Sequence, residues 1–194
     1  MLENIQKYKI ILASNSPRRK ELLAGLGLHF EVRVISGIDE SYPEHLVGEE
    51  IPMFISSRKA DAYQATMADD ELLITADTIV YAKGEVLGKP VDADDARRML
   101  DLLSGGHHEV ITGVCIMTKQ WRRLFATTSH VHFARLTDEE IDYYIKNYRP
   151  FDKAGAYGIQ EWIGFVGVTG IEGSYFNVMG LPVQRLYTEL KSVD

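Results

Sequence analysis

The stretch Lys9-Ile10-Ile11-Leu12-Ala13-Ser14-Asn15-Ser16-Pro17-Arg18-Arg19-Lys20-Glu21-Leu22-Leu23 decides the class of fold, because its periodicity changes in the middle. Lys9 to Ala13 is an apolar run of strand length, whereas Pro17 to Gly27 spaces Leu22, Leu23 and Leu26 along one helical face and ends on glycine. Between them Ser16 reads as a helix N-cap, and Pro17 stands at the first helical position, where no N–H is needed. Strand, loop and helix in immediate succession open an α/β chain.

Phe30 to Val34 alternates as a strand, and a loop carrying Asp39, Glu40 and Pro43 leads to a helix from about Gly48 to Thr66. Leu72 to Tyr81 is a second apolar strand, which the Lys83-Gly84 turn returns through Val86 and Leu87 as a hairpin. Asp92 to Leu103 has acidic residues in its first turn, apolar Ala96, Met99, Leu100 and Leu103 at helical spacing, and Gly105-Gly106 as a stop. Val110 to Thr118 and Leu124 to Phe133 read as paired strands, and Thr137 caps a helix to about Asn147. Phe165 to Val168 and Ser174 to Val178 are expected to be strands, with Pro182 opening a terminal helix. Two hairpin-like connections predict a mixed α/β sheet rather than a purely parallel one. There is no internal repeat, linker or low-complexity segment, so residues 1–194 are expected to form a single domain.

The bulk composition sets limits on function. With 45% hydrophobic and 25% charged residues the chain resembles an ordinary globular protein. Its 28 acidic and 21 basic residues give a net charge of −7, which opposes nucleic acid polymers as partners, so a phosphate ligand needs a local basic pocket. The single cysteine, Cys115, lies in an apolar run and cannot form an internal disulfide. No apolar run approaches the roughly 20 residues of a membrane span, and no basic-then-apolar leader is present, so the expected location is the cytoplasm.

Chemistry concentrates in four segments. Ser14 to Lys20 offers a capped helix start whose backbone N–H groups and three cations suit a phosphate, although a capped helix with a solvated basic end accounts for it equally well. In Thr75-Ala76-Asp77-Thr78 a carboxylate interrupts an apolar strand; buried, it needs a cation or hydrogen bonds, as a metal ligand, as a base toward water, or as a strand-end aspartate at the surface. Asp39, Glu40, Lys59 and Lys89 are isolated charges suited to a metal triphosphate, and each alone is more often plain surface. Asp152-Lys153-Ala154-Gly155-Ala156-Tyr157-Gly158-Ile159-Gln160 allows close backbone approach to a ligand, or simply a tight turn. His107-His108 lack ligand spacing, and His130 and His132 would share a strand face without a supporting carboxylate motif. No nucleophile elbow or phosphate loop occurs.

Taken in order, Ser14-Asn15-Ser16-Pro17-Arg18-Arg19-Lys20-Glu21-Leu22-Leu23, Lys59-Ala60, Ala76-Asp77-Thr78, Leu87-Gly88-Lys89-Pro90, Ser104-Gly105 with His108, Asp152 to Gln160, and Gly180-Leu181-Pro182 resemble the Maf family of nucleotide pyrophosphatases. The resemblance runs from Ile10 to the terminal helix. It implies an elongated mixed β-sheet flanked by helices, like that of inosine triphosphate pyrophosphatases, with a cleft between two lobes. It also implies a homodimer, a divalent cation (magnesium or manganese), and hydrolysis of a nucleoside triphosphate to the monophosphate and pyrophosphate. Residue by residue, Asp77 matches the proton acceptor, Arg18, Thr78 and Gln160 match positions linked to base selectivity, and Ser14, Asp39, Lys59 and Lys89 match the remaining pocket positions. Asp77, Asp39 and Glu40 are the expected metal ligands, with Lys59 and Lys89 assisting Asp77 in catalysis.

The segment ending in Gln160 resembles the family branch acting on dTTP and UTP, and the Gln160 amide can accept from the pyrimidine N3–H while donating to a neighbouring carbonyl. Three positions differ from the family pattern: Arg149 before Pro150, Glu161 after Gln160, and Asp39 where Glu is frequent. The family's association with septum formation also implies a rival role, a nucleotide-binding regulator of cell division without turnover. The intact Asp77, Lys59 and Lys89 favour an enzyme, because a sensor needs no water-activating carboxylate.

Overall fold

In the computed structural model, which describes residues 2–193, the chain forms a mixed sheet of seven strands flanked by helices. A 3-10 turn at Glu3–Ile5 leads to β1 (Lys9–Leu12), α1 (Pro17–Ala24), β2 (Phe30–Val32) and α2 (Glu50–Gln64). Next come β3 (Glu71–Ala82), β4 (Glu85–Leu87), α3 (Ala93–Leu103), β5 (His107–Met117), β6 (Arg122–Phe133) and α4 (Asp138–Tyr148). A 3-10 turn at Ala154–Ala156 precedes α5 (Trp162–Gly167), β7 (Val168–Glu172), α6 (Tyr175–Met179) and α7 (Val183–Lys191). No described helix is long and apolar enough to cross a membrane.

The strand order is β2-β1-β3-β5-β6-β7, with β4 pairing to β3. β1 runs parallel to β2, Ile10 opposite Phe30, and parallel to β3, Ile10 opposite Leu72. Parallel neighbours require long crossovers, and α1 and α2 lie in the connections that supply them. β4 is antiparallel to β3, Tyr81 opposite Val86, through a two-residue turn in which Lys83 and Gly84 have φ of 51° and 87°. Positive φ at both central residues matches the twist of a tight hairpin, and it is why glycine stands at the second position. β6 and β7 are also antiparallel, with a register irregularity between His132 and Phe133. β3 is buried along almost its whole length, and from Leu72 to Val80 Asp77 is the one charge in a largely apolar run.

The chain divides into two compact units, the first comprising the chain through Asp77, Thr112–Thr127 and the chain from Gly180, the second Thr78–Ile111 and Thr128–Met179. In the first unit Ala60, Tyr63 and Met67, from α2 and the turn after it, pack with Ile11, Leu73, Cys115 and Met117 of the sheet. Burial pushes the Cys115 thiol up to about 12, which leaves it inert at neutral pH. In the second unit the buried His108 ring meets Phe133 and Tyr157 edge-on, at centroid distances of 5.1 and 5.4 Å. α4 opens on a capping box, with Thr137 and Glu140 each accepting from the other's backbone N–H.

Two expectations fail. Most of Phe165 to Val168 falls in α5 and most of Ser174 to Val178 in α6, while the strand β7 lies between them. Short apolar runs carry no usable period, so other signals decide. The Ser174 hydroxyl accepts from the Asn177 N–H at 3.3 Å, fastening the first turn of α6. The β-branched Val168, Thr169 and Ile171 occupy the actual strand.

Candidate active site

Asp77 sits within β3 and is nearly buried, at 9% exposure. An unpaired carboxylate there would be costly. Its partner is Lys59 of α2, whose Nζ lies 2.8 Å from Asp77 Oδ1 and 3.1 Å from Glu40 Oε1. One ammonium therefore joins a carboxylate of the sheet to a carboxylate of the loop that follows β2. The Thr75 hydroxyl donates to the Ser56 carbonyl at 2.6 Å, locking β3 to α2 one helical turn before Lys59 and fixing where that lysine projects.

The start of α1 belongs to the same unit. Ser14 is buried and its Oγ accepts from the Ser16 N–H at 3.2 Å, while Ser16 Oγ accepts from the Arg19 N–H at 3.4 Å. The expected N-cap is thus formed, and Pro17 follows it. Arg19 of this turn reaches into the structure. Its Nε donates to the Gly180 carbonyl and its Nη1 to the Ala76 carbonyl, both at 2.8 Å, so it braces the backbone immediately before Asp77. Loss of hydration lowers its guanidinium pKa, opposed by the charge of Asp77. The spacing Arg19, Leu22, Leu23, Leu26 is i, i+3, i+4, i+7, which places Arg19 on the apolar stripe of α1 and would have singled it out.

The three expected metal carboxylates are not equivalent. Asp77 and Glu40 share the Lys59 ammonium, whereas Asp39 accepts from the Ser41 N–H and hydroxyl, each at 2.9 Å, and pairs with Arg58 at 2.8 Å. Those hydrogen bonds, the Ser41 backbone first, hold the Asp39 carboxyl below its ordinary range. Among the described residues no group of three or more His, Cys, Asp or Glu is arranged to hold a metal. Magnesium keeps several waters and is usually bound by one or two carboxylates plus substrate phosphates, so Asp77 and Glu40 fit such an ion when a triphosphate completes its shell. The Lys59 ammonium between them shows that the pair accommodates positive charge.

The remaining expected residues lie in the second unit. Thr78 follows Asp77 on β3, so its side chain takes the opposite face of the strand. Lys89 is exposed, directly after Gly88, whose carbonyl accepts from the Gly155 N–H at 3.1 Å. That bond accounts for one glycine of the segment ending in Gln160: Gly155 has φ of 67°, and a Cβ there would lie 2.8 Å from the Val80 side chain. Gln160 itself is half-buried, and its Oε1 is enclosed with no hydrogen-bond partner among the described residues. Lys153, Tyr144 and Glu161, which sequence reasoning did not assign to any role, surround this turn. Lys153 Nζ lies 2.7 Å from Asp152 Oδ1 and 3.1 Å from Glu161 Oε1. His132 pairs with Glu172 at 3.0 Å, and His130 faces Glu109 at 3.8 Å.

Comparison with known proteins gives a consistent result. Residues 9–193 match the family model described as Maf-like protein. The chain is 66% identical over 193 residues, the full length of both chains, to a protein of Phocaeicola vulgatus named dTTP/UTP pyrophosphatase. It is 60% identical, again over the full length of both, to a protein of that name from Bacteroides fragilis. A Flavobacterium johnsoniae protein, also so named, is 48% identical over 98% of each chain.

Proposed function

Because the chain belongs to the Maf family, we propose that it hydrolyses dTTP and UTP to the monophosphate and pyrophosphate. The observation that carries this reading is the 66% identity, over the whole of both chains, to a protein named dTTP/UTP pyrophosphatase. The geometry around Asp77 supports an assignment of roles. Water attacks the α-phosphorus, giving up a proton to the Asp77 carboxylate, while the bond from that phosphorus to the β-bridging oxygen breaks and pyrophosphate departs. Lys59, 2.8 Å from Asp77 Oδ1, orients the carboxylate and supplies positive charge toward the phosphates. A divalent ion, magnesium or manganese, held by Asp77 and Glu40 together with phosphate oxygens, would neutralise charge developing on the phosphates. The capped start of α1, with Arg18, adds backbone and side-chain donors of the kind that bind phosphate. Lys89 contributes a further phosphate contact.

Gln160 is assigned the base edge. Its Oε1 is unpartnered and closed off in this conformation, and a turn of the side chain would offer it to the N3–H of uracil and thymine, whereas cytosine has an unprotonated N3 at that position. Arg18 and Thr78 complete base recognition. The family's wider features, the elongated inosine triphosphate pyrophosphatase-like fold and a homodimer, are part of the same proposal.

A nucleotide panel incubated with magnesium tests the reading. Pyrophosphate is the expected product, with dTTP and UTP the fastest substrates. U and T should separate from C more sharply than from each other, because an unpaired buried polar group discriminates more than the thymine methyl, which is worth only about 1–3 kcal/mol. Release of orthophosphate alone would refute the reaction class, and CTP or GTP as the fastest substrate would refute the base assignment.

A further inference from the structure

The turn that carries Gln160 is held by a closed ring of hydrogen bonds in which every member is a strong donor or acceptor. The Gly158 N–H donates to the Tyr144 hydroxyl at 2.9 Å. That hydroxyl donates in turn to Glu161 Oε2. The Glu161 N–H then returns to the Gly158 carbonyl at 3.0 Å, closing the ring on the residues either side of Gln160. Lys153 lies against the other oxygen of the same carboxylate, 3.1 Å from Oε1. Tyr144 is fully buried and Lys153 nearly so, which makes these bonds stronger than their surface equivalents and their loss more costly.

Packing around Gly158 is equally constrained. A Cβ there would stand 3.0 Å from Glu161 Cδ, 3.0 Å from Lys153 Cε and 3.2 Å from Gln160 Nε2. The Gln160 amide is therefore lodged beside the same glycine that the ring immobilises, and its Oε1 is left without a partner among the described residues. A buried amide oxygen without a partner is costly, a cost that a ligand donor would relieve once the side chain turns on its fixed backbone.

We infer that Tyr144, Glu161 and Lys153 form a positioning clamp that fixes the 158–161 turn and so presents the Gln160 amide to the nucleobase, making them determinants of base selectivity without touching the substrate. This rests on the proposed role of Gln160. Burial and the hydrogen bond to Glu161 push the Tyr144 hydroxyl well above its ordinary range, so it remains a donor throughout the working pH range. Glu161 is thus the acceptor that sets the hydroxyl's direction, leaving its lone pairs for Gly158.

The test is kcat/KM for UTP and CTP in Tyr144→Phe, Glu161→Ala, Glu161→Gln and Gln160→Ala, each checked by thermal unfolding. Tyr144→Phe and Glu161→Ala should reduce the UTP to CTP ratio by about tenfold, the scale of one hydrogen bond, mainly through a raised KM for UTP. Glu161→Gln, which keeps an acceptor for Tyr144 but not the charge facing Lys153, should recover part of the ratio. Adding Tyr144→Phe to Gln160→Ala should cost no further selectivity, because both act through one amide. Parallel losses for the two nucleotides, or an unchanged ratio, in Tyr144→Phe and Glu161→Ala while Gln160→Ala flattens it, would overturn the clamp and leave the base-reading role of Gln160 intact. A native ratio in Gln160→Ala would overturn both.

Discussion

Each unit contains a lysine held between two carboxylates, and the two clusters differ in what else the carboxylates touch. Lys59 joins Asp77 and Glu40 at 2.8 and 3.1 Å, and Lys153 joins Asp152 and Glu161 at 2.7 and 3.1 Å. Both ammonium groups are largely shielded from water, with side-chain exposures of 14% and 9%. Around Lys153 the second carboxylate also accepts from the buried Tyr144 hydroxyl, which holds the Gly158 N–H, so that cluster ends in backbone. Among the described residues the Asp77 and Glu40 carboxylates form no such tie to a loop backbone. On the proposed function, the same three charges make a reactive group in one place and a structural fastener in the other. What decides is whether the carboxylates keep acceptor capacity for a ligand or spend it on the fold.

The two clusters should differ most at Asp77. Asp77→Asn preserves shape and a hydrogen bond to Lys59 but removes the negative charge and the proton acceptor. Turnover should fall by roughly 10² or more, the usual scale for loss of a general base, while the unfolding midpoint changes little. A folded variant with near-native turnover in steady-state assays would mean that the first cluster, too, is only structural.

Smaller effects come from the lysines, and here the two clusters should separate by kind rather than size. Lys59→Ala removes the proposed charged contact to the phosphates and should cost on the order of 1.5–3 kcal/mol in kcat/KM, beside a loss of stability from leaving the nearly buried Asp77 carboxylate without its cation. Lys153→Ala leaves the Glu161 carboxylate short of its cation and should cost on the order of 1–3 kcal/mol of stability, lowering the midpoint by about 2–4 °C for each kcal/mol in a chain of this size. Thermal melts beside kinetics on both variants decide the matter. A loss of stability without a kinetic defect in Lys59→Ala, or a purely kinetic defect in Lys153→Ala, would erase the distinction.

These outcomes bear on how far the sequence could be read. Local chemistry was legible: Ser16-Pro17, Asp92 and Thr137 mark helix starts because a cap is made by residues within a few positions of each other. Asp77 was legible because a charge inside an apolar strand demands explanation. Arg19 carried a signal, its register with Leu22 and Leu23, that was outweighed by the reading of a basic patch. The helices α5 and α6 were misread because five or six residues are too few to display a period, and the contacts that favour a helix come from elsewhere in the chain. Tyr144 gave no sign of its role. Its hydroxyl meets Gly158 and Glu161 across 14 and 17 residues, a relation that only the folded chain creates.

The last effect is the smallest at neutral pH and concerns a second polar group that the second unit spends on its fold. His108 is 2% exposed, its Nε2 lies 2.7 Å from the Tyr157 hydroxyl, and its Nδ1 has no partner among the described residues. Burial, with smaller contributions from His107 and His132, lowers its pKa from the ordinary 6.5 to about 3. The native state therefore holds this imidazole neutral where the unfolded chain protonates it. The unfolded state binds the extra proton between those two values, so stability is fully present above pH 6.5 and is lost as pH falls toward 3. The slope from this one group approaches about 1.4 kcal/mol per pH unit well inside that window. His108→Gln keeps a polar group for Tyr157 without a titrating ring, so it should change stability at pH 8 by a small amount and flatten the decline between pH 6 and pH 4. Denaturant unfolding of both proteins across that range measures the difference directly. If the two curves stay parallel, His108 is protonated in the folded protein, and the second unit is more open to water around Tyr157 than its packing implies.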